Sequence, residues 1–187
     1  MSGPVRSGLI GALLLLVAIV AVVAAAAFLG VYNVAADAPH TVPVRTFISF
    51  VSDHSVAARD RDVVVPPLND PKMIAAGAAH YDSMCTGCHL APGMKENDIR
   101  AGLNPKPPSF VRRRRPGNAA EQFWIIKHGI KMTAMPAWGA THSDADIWNI
   151  VAFFQTMPKM PPEAYKSLVA SAADHHDHDM PNMNMGR

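Results

Sequence analysis

Cys85-Thr86-Gly87-Cys88-His89 is the stretch that most constrains what this 187-residue chain can fold into. Two thiols three residues apart stand about one helical turn from each other, and the next residue points its imidazole up between them. In that order the thiols can add across the two vinyl groups of a haem while the imidazole reaches the iron, which makes the pentapeptide a c-type haem attachment signal. Thr86 and Gly87 need only be small. A thioredoxin-like redox pair would want a strand-helix context and has no use for the histidine, and a zinc site would need two more ligands at compatible spacing. Cys85 and Cys88 are the only cysteines in the chain, so no structural disulfide exists and zinc would have to recruit distant histidines.

The second constraint lies near the N-terminus. No charged residue occurs from Ser7 to Ala36, and Leu9 to Val31 is almost wholly aliphatic. As a helix that stretch rises about 35 Å, enough to cross a hydrocarbon core of about 30 Å. A cleaved signal peptide is the competing reading, but its apolar region usually spans only about 7 to 15 residues. The length favours a retained anchor over 9–32, with 1–8 as a cytoplasmic N-terminus. Arg6 is the only early basic residue, so orientation rests on that charge and on the need to place the haem outside. The hydrophobic content of 49% is concentrated in this stretch, and the remainder is long enough for one domain with its own core. A net charge of +2 is too small to imply nucleic acid.

Residues 33–67 read as a connector with a short amphipathic helix. Thr41 can cap it, Pro43 suits its first turn, and Val44, Phe47, Ile48 and Val51 fall at i, i+3, i+4 and i+7. That face can lie on a membrane, dock onto a partner subunit, or pack against its own domain. Arg59-Asp60-Arg61-Asp62 is a solvated run, and Val63 to Leu68 reads as an extended connector.

Three main helices are expected in 68–160. Asp70 caps the first, Pro71 takes its first position, and Ile74, Ala78, Tyr81 and Cys85 form a face leading into the haem motif. Gly77 on that helix allows another helix to approach closely. Ala91-Pro92-Gly93 breaks the chain, and the loop from Gly102 to Phe110, stiffened by Pro105, Pro107 and Pro108, can wall a flat cofactor. Asn118 and Glu121 have the form of a capping box, with Lys127 and His128 at the negative end of the second helix and Gly129 as its stop. Ser143 and Asp146 open the third, whose apolar face is Ile147, Trp148, Ile150, Val151 and Phe154. With no convincing alternating run, the fold class is all-α.

A haem iron bound by His89 has one more axial position. Met132 and Met135 both lie in the loop after Gly129, and His80 and His128 are rivals, although a lone helical histidine is more often a satisfied surface or core residue. Cys85 to His89, together with Met135-Pro136-Ala137-Trp138 and the helix after it, resembles the class I cytochromes c, in particular membrane-anchored monohaem ones, and is similar to the cytochrome c domains of cbb-type terminal oxidases. The resemblance covers roughly Leu68 to Pro158. It implies a single-haem class I cytochrome c fold behind an N-terminal transmembrane helix, with one covalent haem c on Cys85 and Cys88. His89 and Met135 are then the axial ligands, Met135 being preferred to Met132 because Met-Pro-Ala-Trp matches the family's ligand motif. A soft thioether raises the reduction potential and blocks oxygen or peroxide, so the expected function is single-electron transfer between respiratory-chain partners, not catalysis. The partners implied are a redox donor and acceptor, with a terminal oxidase or a dehydrogenase as the larger complex. The location implied is the bacterial inner membrane, with the haem domain in the periplasm.

Two rival readings carry their own residues. A haem enzyme, a peroxidase or a nitrite-reducing subunit, would require Met135 to be displaced. A copper-handling module is suggested by 161–187, read as a flexible tail, where His175, His176 and His178 offer nitrogen ligands and Met180, Met183 and Met185 offer thioethers suited to copper in both oxidation states. Tyr81 and Trp138 have a choice between haem contact and core packing. Arg112 to Arg115 can steer an acidic partner, hold a propionate, or simply be solvated.

Overall fold

A computed structural model describes residues 3–112 and 117–178, which divide into two compact units, Met1–Ala38 and Pro39–Arg187. Among the described residues every regular element is helical and there are no strands.

The first unit is essentially one helix, α1 (Gly3–Phe28), whose stretch Val5–Phe28 is long and apolar enough to cross a membrane. It begins earlier than the aliphatic run suggests and stops earlier too. Gly30 takes φ +65°, and the Val31 and Gly30 amides donate to the Ala26 and Ala27 carbonyls at 3.0 and 3.1 Å. That is a Schellman stop, which ties off the last carbonyls of the helix.

The second unit opens with α2 (Val42–Ala57). Pro43 lies in its first turn as expected, but the Thr41 side chain makes no capping bond. Of its residues only Val56 is buried, so the helix does not hide its apolar stripe in its own domain.

The core of the unit is the crossing of α3 (Pro71–Met84) and α7 (Asp144–Thr156). Asp70 Oδ1 accepts from the Lys72 amide at 2.8 Å and starts α3. Ser143 and Asp146 start α7 with a full reciprocal capping box, the Asp146 amide donating to Ser143 Oγ at 3.2 Å and the Ser143 amide to Asp146 Oδ2 at 3.0 Å. At the crossing Gly77 faces Asn149, and a Cβ there would sit 1.8 Å from the Asn149 carbonyl oxygen. Only glycine permits that separation. Ile147, Ile150, Val151 and Phe153 of α7 pack there with Ala78 and Tyr81 of α3, all of them essentially without solvent exposure.

Helix α4 (Thr86–His89) is a single turn continuing α3 beyond Cys85, and α5 (Asp98–Ala101) is another single turn in the long loop that follows. Helix α6 (Ala119–His128) is capped by Asn118 Oδ1, which accepts from the Ala120 amide at 3.0 Å, and Lys127 ties its end to Asp144 at 2.7 Å. Phe123 of α6 stacks on Trp148 of α7 with ring centroids 4.1 Å apart.

The chain does not become a loose tail at residue 161. Helix α8 (Pro162–His178) packs on α3, burying Tyr165 and Ala172, with Leu168 and Val169 half-buried. Tyr165 donates its hydroxyl to Asp82 Oδ1 at 2.7 Å. Those four apolar positions are spaced i, i+3, i+4 and i+7, which is why the segment is helical and attached.

Candidate haem site

The attachment motif sits where α3 gives way to α4. The Cys85 carbonyl accepts from the amides of Cys88 and His89 at 3.1 and 2.8 Å, and that turn sets the relative positions of both sulfurs and the imidazole. Leu90 then reverses the chain at φ +65° while nearly buried, held by a hydrogen bond from the Tyr81 hydroxyl to its carbonyl. Tyr81 is itself fully buried between Phe153 and Phe154, and burial raises its pKa far above the usual phenol range. It is therefore a core residue that braces the turn.

Both cysteines are half-buried. Burial, with the neighbouring Cys88 thiolate adding to it, pushes the Cys85 thiol up to about 12. A redox C-x-x-C depends on a thiol made acidic by its surroundings, so the shift runs opposite to what disulfide exchange needs.

His89 is oriented from across the loop. Its Nδ1 lies 2.8 Å from the Pro108 carbonyl, 19 residues on, and its ring stacks on Phe110 with centroids 4.6 Å apart. A carbonyl can only accept, so the proton is on Nδ1 and Nε2 carries the lone pair, as an imidazole ligand to iron requires. The loop is braced in turn. Asn97 donates to the Gly87 carbonyl at 3.1 Å, and the nearly buried Arg100 donates to the Pro107 carbonyl at 2.8 Å. Arg100 also donates to Glu96 at 2.6 Å and, through that hydrogen bond first, holds the Glu96 carboxyl below its ordinary range.

On the other side, Gly129 ends α6 at φ +65°, and the backbone of Met135, Pro136 and Ala137 runs directly against it. The Ile130 amide donates to the Met135 carbonyl at 3.2 Å and the Met135 amide to Thr133 Oγ1 at 3.1 Å. Met135 is half-buried against the core, whereas Met132, in a left-handed conformation at φ +58°, is 94% exposed. Trp138 lies half-buried at the start of a 3-10 turn, edge-on to His142. Of the histidine rivals, His80 lies 3.7 Å from Asp146 and His128 sits against Trp124.

Residues 72–154 match the family described as cytochrome c oxidase, cbb3-type, subunit III. Over those residues the chain is similar to the class I c-type cytochrome domains of cbb3-type oxidases. No curated protein matches the chain. Cytochrome domains of this kind hold haem c and use it for electron transfer, and the residues present fit that group. Two half-buried thiols stand beside an imidazole in the correct tautomer, and two buried donors on the same loop, Arg100 Nε and Ser109 Oγ, have no hydrogen-bond partner among the described residues and are of the kind that satisfies a haem carboxylate.

Asn97 and Arg100 were not singled out by the sequence, and Pro108 and Phe110 were read only as parts of a rigid loop. The proline-rich loop signalled a rigid wall, but the partners it offers His89 are set by tertiary contact. The side chains of Arg112 to Arg115 and of His175, His176 and His178, and the whole of Met180, Met183 and Met185, lie outside what the structure describes. Among the described residues no cluster of histidine, cysteine or carboxylate side chains could hold a metal ion.

Proposed function

We propose that this protein is a membrane-anchored, single-haem electron carrier whose iron is held by His89 and Met135, with Cys85 and Cys88 as the thioether attachments. The observation that carries the reading is the bond from His89 Nδ1 to the Pro108 carbonyl, which presents Nε2 as a ligand beside the two thiols. The proposed anchor is α1, with the cytochrome domain on the periplasmic side of a bacterial inner membrane. Electrons pass from a redox donor to an acceptor of the respiratory chain, with a terminal oxidase or a dehydrogenase as the associated complex.

When bound, the haem supplies an iron that shuttles one electron between its ferrous and ferric states. The chain's own part is to keep both axial groups in place in either state. The Pro108 carbonyl fixes the ring of His89, while Gly129, Ile130 and Thr133 fix the backbone of Met135. Met135 would hold the iron through a thioether, a soft donor that would favour the ferrous state and exclude small oxidants. The exposure of Met132 supports Met135 as that ligand.

Spectra and redox titrations of two single variants test the assignment. Met135→Ala should remove the weak methionine-to-ferric charge-transfer band, convert the ferric haem to a high-spin or water-ligated form, and lower the reduction potential. Met132→Ala should leave all three unchanged. A larger effect from Met132→Ala would overturn the ligand assignment.

A further inference from the structure

The apolar face of α2 is a feature of the cytochrome unit that electron transfer leaves unexplained. Phe47 is 68% exposed, Phe50 57%, Val51 48% and Ile48 45%, and Val42 at the helix start is 66% exposed. Isolated exposed apolar residues are ordinary, but a contiguous stripe on an amphipathic helix marks a surface that something covers. Its own domain does not cover it, since α2 meets the rest of the unit at α6 and buries only Val56.

The chain before α2 points to what does. Residues 29–41 join the apolar span of α1 to α2, and 13 residues reach at most about 45 Å, so α2 is tethered near any bilayer that α1 enters. This joint carries a single charge, Asp37, and exposes Leu29, Val31, Tyr32 and Val34. Tyr32, shortly after the end of the span, is of the type that collects at the membrane-water boundary. Exposed apolar residues thus continue along the chain past α1 as far as Val34 and resume at Val42. The charges on α2 itself, Arg45 and Asp53, cancel, so neither an acidic nor a basic partner would be selected electrostatically. A tether converts the encounter with lipid into an intramolecular one, an advantage a separate partner lacks.

We propose that α2 is an interfacial helix, with Phe47, Ile48, Phe50 and Val51 seated in the headgroup-acyl boundary of the bilayer. This rests on α1 being a membrane anchor. Because α2 packs on α6, and α6 runs into the loop carrying Met135, seating α2 restricts how the cytochrome domain can turn over the membrane. A membrane-embedded redox partner then meets a restricted set of faces.

The test uses the full-length holoprotein in phosphatidylcholine nanodiscs. Haem attachment consumes both native thiols, so single cysteines can be introduced and spin-labelled as Phe47→Cys, Phe50→Cys, Ser49→Cys, Asp53→Cys and Val20→Cys. Power saturation then compares relaxation by oxygen, which partitions into lipid, with relaxation by a water-soluble nickel chelate. The oxygen-to-nickel ratio at 47 and 50 should exceed that at 49 and 53 several-fold and fall below that at 20. A label at 20 that behaves as if in water would show that the anchor reading has failed. With 20 in lipid, equal ratios at 47, 50 and 53 would place α2 in water and overturn the proposal. Labels at 47 and 50 shielded from both reagents would mean a protein surface covers them, which also overturns it.

Discussion

Replacing Gly129 by alanine should disturb both the stability of the cytochrome domain and its axial ligation, and the structure gives the size of each effect. Gly129 has φ +65° and ψ −171°, a region that only glycine occupies without strain, and forcing alanine into it costs about 1–3 kcal/mol. Space is also lacking. The added methyl would lie 2.7 Å from the Met135 carbonyl oxygen and from the Pro136 carbonyl carbon, and 2.8 Å from the Ala137 nitrogen. Ordinary contact needs about 3.5 Å, so the ligand loop must retreat by roughly 0.8 Å. That movement strains the Ile130 amide's bond to the Met135 carbonyl, now 3.2 Å, whose loss adds about 1 kcal/mol. The expected total is about 2–4 kcal/mol, read from guanidinium unfolding of the ferric holoprotein. Weakening of the methionine-to-ferric charge-transfer band should accompany it. Gly102→Ala is the control, since Gly102 has φ −83° and its added methyl would meet nothing nearer than 3.5 Å, and it should stay within about 0.5 kcal/mol of the parent. A Gly129→Ala protein as stable as the parent would refute the strain argument. One that is destabilised but keeps its full band would refute the link between this turn and Met135.

Three further outcomes follow from α7 and α8. Asp146 is held below its ordinary carboxyl range by the Ser143 hydroxyl first, with the Ser143 amide, His80 and His142 adding to it. A depressed folded pKa gives stability that is present above the unfolded value, near 3.8, and is lost as pH falls through the folded one, so Asp146→Asn should flatten the acid limb of stability against pH in that window. An unchanged acid limb would show that the capping box does not contribute there. Deleting the chain from Pro162 should destabilise the domain, because it uncovers the surface beneath Tyr165, Leu168, Val169 and Ala172, whereas deletion from Asp174 should leave the haem spectrum intact and remove any copper bound by His175, His176, His178 and the methionines beyond. Equal copper stoichiometry in the intact and Asp174-truncated proteins, measured by dialysis, would sink the copper reading.

Features that depend on local backbone chemistry were legible in the sequence. Asp70-Pro71 and Ser143 to Asp146 start helices where they were expected to, Gly77 marks the close crossing of α3 and α7, and Gly129 ends α6. What escaped was tertiary or overshadowed. The bond between His89 and Pro108 joins residues 19 apart through a loop with no periodicity to read. Helix α8 had its signal, since Tyr165, Leu168, Val169 and Ala172 are spaced for one face, but the histidines and methionines beyond drew the whole segment into a polar tail. The exposure of α2 was open for a different reason. An amphipathic pattern states that one face is covered and is silent on what covers it.

On the proposed ligation by His89 and Met135, the two sides of the haem site would place different demands on the fold. Imidazole is a strong ligand, and for His89 the task is to select a tautomer, which one carbonyl accomplishes provided the loop bearing it is stiff. Arg100 on the Pro107 carbonyl and Asn97 on the Gly87 carbonyl supply that stiffness from both ends of the loop. A thioether binds ferric iron weakly, so Met135, if it is the ligand as proposed, would have to be held mainly by the protein. There the backbone is packed against a glycine that admits no side chain, and it is tied to Ile130 and Thr133 within a few residues. A loop fixed in this way would hold a Met135 ligand in one position, which is what rapid single-electron exchange would ask of it. The crossing at Gly77 matters for the same reason, because α3 leads into His89 and α7 begins shortly after Met135. Any change that separates those two helices disturbs both ligand loops at once.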